Sequence, residues 1–251
     1  MSHDGVQGGV AVFFADLKAS GPLLDNAERE TPRLADDEIA RWKYLIQSRG
    51  ADDAMLWRAS HIALRIAIEQ SAGPSHRAKP YTGAPGGRPS LASSGPHFSL
   101  AHTGGVALIA VLREGPIGAD IEAPRTLKFT EYRRQKIEAA ALRLAPDLPL
   151  TRDGDARTLQ AWVRLEAHAK ATGAGIGAAL TDAGVIGGAA DRATSPLNEN
   201  LAVADVAVPN GYFAAVSAAV LPGSVQARLF PEDMAQLQAF LAPERVASRH
   251  D

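Results

Sequence analysis

Three short segments hold the residues whose types and spacing could do chemistry. In Ile117-Gly118-Ala119-Asp120-Ile121-Glu122, strand alternation puts Ile117, Ala119 and Ile121 on one side and Asp120 and Glu122 on the other. Two carboxylates that project together, with substrate phosphates, suit a hard divalent cation such as magnesium. Gly118 would let a ligand approach the backbone. An isolated Asp-x-Glu is more often an ordinary polar strand face or a strand end. In Trp162-Val163-Arg164-Leu165-Glu166-Ala167-His168-Ala169-Lys170, the i, i+4 spacing stacks Trp162, Glu166 and Lys170 on one helical face. Alone this is a surface ion pair, but Trp162 on the same face argues that the stripe turns inward. His102 falls in the turn of Phe98-Ser99-Leu100-Ala101-His102-Thr103-Gly104-Gly105, where neighbouring amides and Thr103 could help to hold an anion. A lone turn histidine is otherwise simply solvated. Lys79-Pro80 and Arg88, in the preceding loop, carry no signal of their own.

These residues need a scaffold. Val10 to Ala15 reads as a strand, and Ala54 to Gln70 as an amphipathic helix with Ala59, Ile62, Ala63 and Ile66 on one face. The Pro- and Gly-crowded stretch from Gly73 to Gly95 predicts a surface loop. His97 to Ala101 and Val106 to Leu112 predict a β-hairpin closed by His102 to Gly105. The second half repeats the order. Ile117 to Glu122 is a strand, Thr130 to Leu144 and Thr158 to Thr172 are helical, and Leu201 to Val208 with Tyr212 to Val220 form a hairpin across Pro209-Asn210-Gly211. The fold class that follows is α+β, with two similar subdomains, 1–115 and 116–225, meeting near Pro116, and a C-terminal tail, 226–251. Residues 173–200, rich in Gly and Ala with Ser195-Pro196 near their end, predict a loop or irregular strands. The tail predicts one helix, Pro231 to Leu241, and then a mobile charged end.

A chain of 251 residues with 46% hydrophobic content can bury one large core or two modest ones. Its 26 basic and 28 acidic residues nearly balance at −2, and the absence of a basic stripe argues against nucleic acid as main partner. With no cysteine, thiol catalysis, thiolate metal sites and disulfides are excluded, which fits a reducing compartment. Met1 to Gly9 lacks a basic segment followed by an apolar run, and Val106 to Leu112 and Tyr212 to Leu221 are strand-sized. The expectation is a soluble, cytoplasmic protein without membrane contact.

The joint order His-Thr-Gly-Gly, Gly-x-Asp-x-Glu and Trp-x-x-x-Glu-Ala-x-x-Lys resembles the 4'-phosphopantetheinyl transferase superfamily. It looks like the larger, pseudo-dimeric kind that activates fatty-acid, polyketide and nonribosomal peptide synthases. The resemblance runs from about residue 10 to residue 220 and is strongest at 97–122 and 162–173. It implies two α+β halves in a pseudo-two-fold arrangement with the active site between them. It also implies transfer of the phosphopantetheine of coenzyme A to a serine of an acyl or peptidyl carrier protein, with magnesium as cofactor. Residue by residue, Asp120, Glu122 and Glu166 match the family's magnesium ligands, and Lys170 the lysine at the coenzyme A phosphates near the acceptor hydroxyl. His102 matches a phosphate-binding histidine, and Thr103 the small hydroxyl residue beside it. Lys79 matches the lysine of a Gly-Lys-Pro loop, with Ala78 in the place of glycine. His61 and Arg65 match a histidine and arginine that set the register of the first-half helix rather than the chemistry. Glu166 is the candidate general base. The cluster Arg125, Lys128, Arg133, Arg134 and Lys136 is either a docking surface for an acidic carrier or a solvated helix face. Two halves in one chain favour a monomer.

Besides Ala78, the sequence departs from the family at four places. Val163 stands where a hydroxyl residue is usual, Leu165 where a phosphate-binding lysine is usual, Ala101 for a serine, and Leu56 where an arginine contacts the nucleotide. Arg58 could substitute for that arginine only with a shift of helix register. These departures support a rival reading, a non-catalytic homologue that binds coenzyme A or a carrier. A second rival is a magnesium phosphoesterase or nuclease built on the three acidic residues.

Overall fold

The computed structural model describes residues 9–83, 89–91, 95–182, 184–186, 200–209 and 211–242. Arg88, Ser195-Pro196, Asn210 and the charged end after Ala242 lie outside the described residues. In chain order the elements are β1 (Ala11–Asp16), α1 (Gly21–Glu30), α2 (Asp36–Arg49), α3 (Ala51–Ala72), a 3₁₀ turn (Pro74–His76), β2 (Tyr81–Thr82), β3 (Ser90–Leu91), β4 (His97–Thr103) and β5 (Val106–Leu112). There follow β6 (Ile117–Glu122), α4 (Glu131–Leu144), α5 (Gly154–Thr172), α6 (Gly175–Asp182), β7 (Ala202–Ala207), β8 (Phe213–Ala218), β9 (Val225–Gln226), β10 (Arg228–Leu229) and α7 (Met234–Leu241). The chain is α+β.

Two four-stranded sheets, ordered β10-β1-β5-β4 and β6-β8-β7-β9, form the middle of the molecule. In each, an opening strand lies antiparallel to the second arm of a hairpin: β1 on β5, and β6 on β8 with Ile117 opposite Ala218 and Glu122 opposite Phe213. Strand alternation sorts the side chains. Val12, Phe14, Leu108 and Ala110 of one sheet share a core with Ile117, Ala119, Ile121 and Val216 of the other. The outer face of the first sheet, with Phe13 and Ile109, is covered by α3 through Ile62, Ala63 and Ile66, and by α1 and α7. The outer face of the second, with Phe213 and Ala215, is covered by α5 through Leu159, Val163 and Ala167. On α5's flank, α4 and α6 pack through Ile137, Leu165 and Leu180. The layers therefore run helix, sheet, sheet, helix. The edge strands β4 and β6 abut, and the Ala119 amide donates to Ser99 Oγ at 2.9 Å across the seam.

Four expectations are corrected. Residues 175–182 form α6 rather than a loop, because Ile176 and Leu180 pack on the Leu165 side of α5. His102 is a strand residue opposite Ala107 rather than a turn residue. The turn is Gly104-Gly105, both at positive φ (56° and 94°), as a two-residue hairpin loop requires. Helix α7 begins at Met234, where Asp233 Oδ1 accepts from the Gln236 amide. Residues 226–242 return to the first half, since β10 runs parallel to β1 and Phe230 and Leu237 join the first core. Among the described residues no helix is long and apolar enough to cross a membrane.

Candidate active site

The site lies on the seam between β4 and β6, where α3 and α5 approach from opposite sides. Alternation along β6 sends Gly118, Asp120 and Glu122 toward α5, as the residue pattern predicts. Gly118 has a different task from the expected one. A Cβ there would stand 1.9 Å from the Ala167 carbonyl oxygen and 2.5 Å from the Ala171 nitrogen, so the glycine admits the backbone of α5, not a ligand. This close approach brings Glu166 and Lys170 over the two carboxylates of β6.

Lys170 Nζ donates to Asp120 Oδ1 at 2.7 Å and to the Ala119 carbonyl at 3.2 Å. Asp120 is buried, and desolvation pushes its pKa above the usual carboxylate value against the pull of Lys170. Glu122 is half-buried and accepts both Arg125 Nη atoms, at 2.9 and 3.1 Å. Its pKa is also raised, by burial first and by Asp120, with Arg125 opposing. Glu166 is pushed up to about 7, by burial first, then by the charge of Asp120 and, more weakly, of Glu122, with Lys170 opposing. Burial is the first cause at all three, the charge of Asp120 adds to the rise at Glu122 and Glu166, and Lys170 opposes it throughout.

Oxygen donors from three neighbouring carboxylates are the chemistry a hard cation takes, so the residues fit magnesium in kind. Their present arrangement is set by Lys170, which occupies Asp120. Among the described residues no group of three or more His, Cys, Asp or Glu is arranged to hold a metal ion.

A cavity of about 450 Å³ opens beside Lys170, walled by α3 (His61, Leu64), β4 (Phe98, Leu100, His102), α5 (Ala169, Lys170) and Tyr81 of β2. His102 projects from the α3 side of β4. Its pKa lies below the usual histidine value, through desolvation first and then the positive neighbours His61 and Lys170. Thr103 is half-buried at the end of β4, opposite Val106. Lys79 is exposed, and its carbonyl accepts from Arg65 Nη1 at 2.7 Å. Neither Thr103 nor Lys79 lines the cavity. Trp162, Glu166 and Lys170 form the half-buried stripe of the buried stretch 158–171 of α5, and Trp162 packs against the core of Ile137, Leu165 and Leu180 and beside the Phe129 ring.

Leu165, Ala101 and Leu56 belong to hydrophobic cores, the first two buried and Leu56 partly so, and Arg58 pairs with Asp25. In this structure the departures at 165, 101 and 56 therefore take no group from the cavity wall. Of the basic cluster, Arg134 is tied to Asp155 and to the Leu127 carbonyl. Arg133 lies over Phe129 and Lys136 over the exposed Tyr132.

Two features escaped the sequence reading. Arg164, fully buried, is held by Asp205 through Nε and Nη2, both at 2.7 Å, and by the Leu148 and Pro149 carbonyls. It locks α5 to β7 and to the α4–α5 connection. On α3, Trp57, His61 and Arg65 repeat at i, i+4, i+8 the spacing of Trp162, Glu166 and Lys170 on α5. That shared spacing is the signal that could have exposed it.

An α+β fold that gathers acidic residues, a lysine and a histidine at one cleft is equipped to handle phosphate esters. No family model matches the chain. The chain is similar to a protein of Synechocystis sp. that carries the provisional name of a 4'-phosphopantetheinyl transferase, with 29% identity over 162 residues, which cover 59% of this chain and 60% of that protein. The match thus spans less than two thirds of the relative's length. This distant relationship supports the superfamily indicated by the motifs, and with it a transferase.

Proposed function

We propose that the protein is a 4'-phosphopantetheinyl transferase that moves phosphopantetheine from coenzyme A to a serine of an apo acyl or peptidyl carrier protein. The observation that carries this reading is the meeting of Asp120, Glu122, Glu166 and Lys170 beside His102 on one cleft. The serine oxygen forms a bond to the β-phosphorus of coenzyme A while the bond from that phosphorus to the 3',5'-ADP oxygen breaks, and 3',5'-ADP leaves. Glu166, at about 7, is poised to take the serine proton near neutral pH. Lys170 and His102 serve as the donors to phosphate oxygens, where developing charge gathers. Asp120, Glu122 and Glu166 would hold magnesium, which when bound neutralises the pyrophosphate. A pseudo-two-fold relation of the halves, with the cleft between them, goes with this reading. So do the divisions at 115 and 225 and a monomer acting on cytoplasmic carriers.

The test is release of 3',5'-ADP from coenzyme A in the presence of an apo carrier. Glu166→Gln and Lys170→Met should each lower the rate by at least about 100-fold, on the scale of lost acid–base and charge-stabilising groups. Full activity in Glu166→Gln would remove its role as base. Release of 3',5'-ADP without any carrier would favour a hydrolase instead.

A further inference from the structure

The first-half helix carries a histidine whose surroundings go beyond setting register. His61 Nδ1 lies 3.0 Å from Glu38 Oε1, and its ring stacks on Trp57 with centroids 3.8 Å apart. Glu38 is itself fixed. Its Oε2 accepts from Arg65 Nε and Nη2 at 2.9 and 2.6 Å and from the Ala35 amide at 3.0 Å. Arg65 in turn lies over the Tyr81 ring at 3.9 Å. So much support for one imidazole fixes its orientation, with Nδ1 turned to Glu38.

His61 lines the cavity that Lys170 and His102 also line. His61 therefore stands on α3 where Glu166 stands on α5, at the central position of the same three-residue stripe. A mainly apolar cavity with His61, His102 and Lys170 on its wall suits a ligand that joins an anionic group to an uncharged chain.

We propose that His61, oriented by Glu38, is a substrate-contacting residue whose Nε2 binds a phosphate oxygen in this cavity. The proposal deepens the transferase reading and rests on it for the identity of the phosphate as one of coenzyme A. An Nε2–H that donates to a phosphate oxygen makes a charge-assisted contact.

Two substitutions separate Nε2 from the support of Glu38. The amide nitrogen of Asn falls near the place of Nδ1 and can keep the bond to Glu38, whereas that of Gln reaches toward the place of Nε2. Binding is measured by calorimetry with coenzyme A and, separately, with inorganic pyrophosphate, and folding by thermal melting. His61→Asn should weaken coenzyme A binding on the order of 10- to 100-fold, the size of one charge-assisted bond. Its melting temperature should stay within a few degrees of wild type, and His61→Gln should recover part of the affinity. Equal coenzyme A binding by wild type and His61→Asn overturns the proposal and leaves the transferase reading standing. Pyrophosphate binding that depends on His61, without coenzyme A binding, supports the proposal and removes the transferase reading. Binding of neither ligand by wild type overturns both.

Discussion

Replacing Gly118 by alanine tests the packing that assembles the site. The new Cβ would stand 1.9 Å from the Ala167 carbonyl oxygen and 2.5 Å from the Ala171 nitrogen, both backbone atoms of α5. That is roughly 1.5 Å inside ordinary van der Waals contact. No rotamer change relieves it, so α5 must lift from β6. Overpacking of this kind costs about 3 kcal/mol, which for a chain of this size lowers the melting temperature by about 6–12 °C. The lift also carries Glu166 and Lys170 away from Asp120, and a displacement near 1 Å at a reacting centre costs on the order of 100-fold in rate. Thermal melting and 3',5'-ADP release read the two effects. Gly177→Ala is the control: its Cβ meets nothing within 4 Å, and in the middle of α6 it should stabilise by about 0.5–1 kcal/mol. A Gly118→Ala protein that melts and turns over like wild type would refute the close approach of α5 as the device that builds the site.

Ala78 holds φ +52°, and glycine there should raise stability by about 1 kcal/mol, visible as a melting temperature 2–4 °C higher; a lower one would count against the backbone geometry. Removing Asp205 as Asp205→Ala leaves the fully buried Arg164 without its carboxylate, and should cost about 3 kcal/mol in urea unfolding. A cost under about 1 kcal/mol would mean that the clamp holds nothing. In Glu38, burial acts to raise the pKa but is outweighed by hydrogen bonds from His61, Arg65 and the Ala35 amide; in Glu69 it is outweighed by Arg77 and Arg33. Both folded pKa values are depressed, so their stabilisation is complete above the unfolded value of 4.5 and is lost as pH falls below it. Urea midpoints should drop between pH 5 and pH 3, less steeply in Glu69→Gln; an identical slope in that variant would remove Glu69 as a contributor.

The parts legible in the sequence share strict periodicity. Ile117 to Glu122 alternates cleanly, and its strand, with both carboxylates on one side, follows from that alone. The stripe Trp162, Glu166, Lys170 was equally plain, and its tryptophan is the member packed against the core of Ile137, Leu165 and Leu180. Helix α2 went unseen for a physical reason. Of its residues only Glu38 and Leu45 are buried, so charge pairs with His61 and Arg65 anchor it where an apolar stripe would have announced it. The glycines of α6 argued for a loop, and only tertiary packing of Ile176 and Leu180 overrides that propensity. Gly118 was noticed for the right property, absence of a side chain, but what fills the space is a helix two elements away. The Glu38–His61 pair joins residues 23 apart, a separation that no local pattern encodes.

The central claim is most directly tested by the intact mass of several apo carrier proteins after incubation with this protein, coenzyme A and magnesium, with a parallel sample in EDTA. The account predicts a gain of one phosphopantetheine on at least one carrier, abolished by EDTA and by Glu166→Gln. No gain on a panel that a known active transferase modifies would contradict it and would leave a protein that binds without transferring.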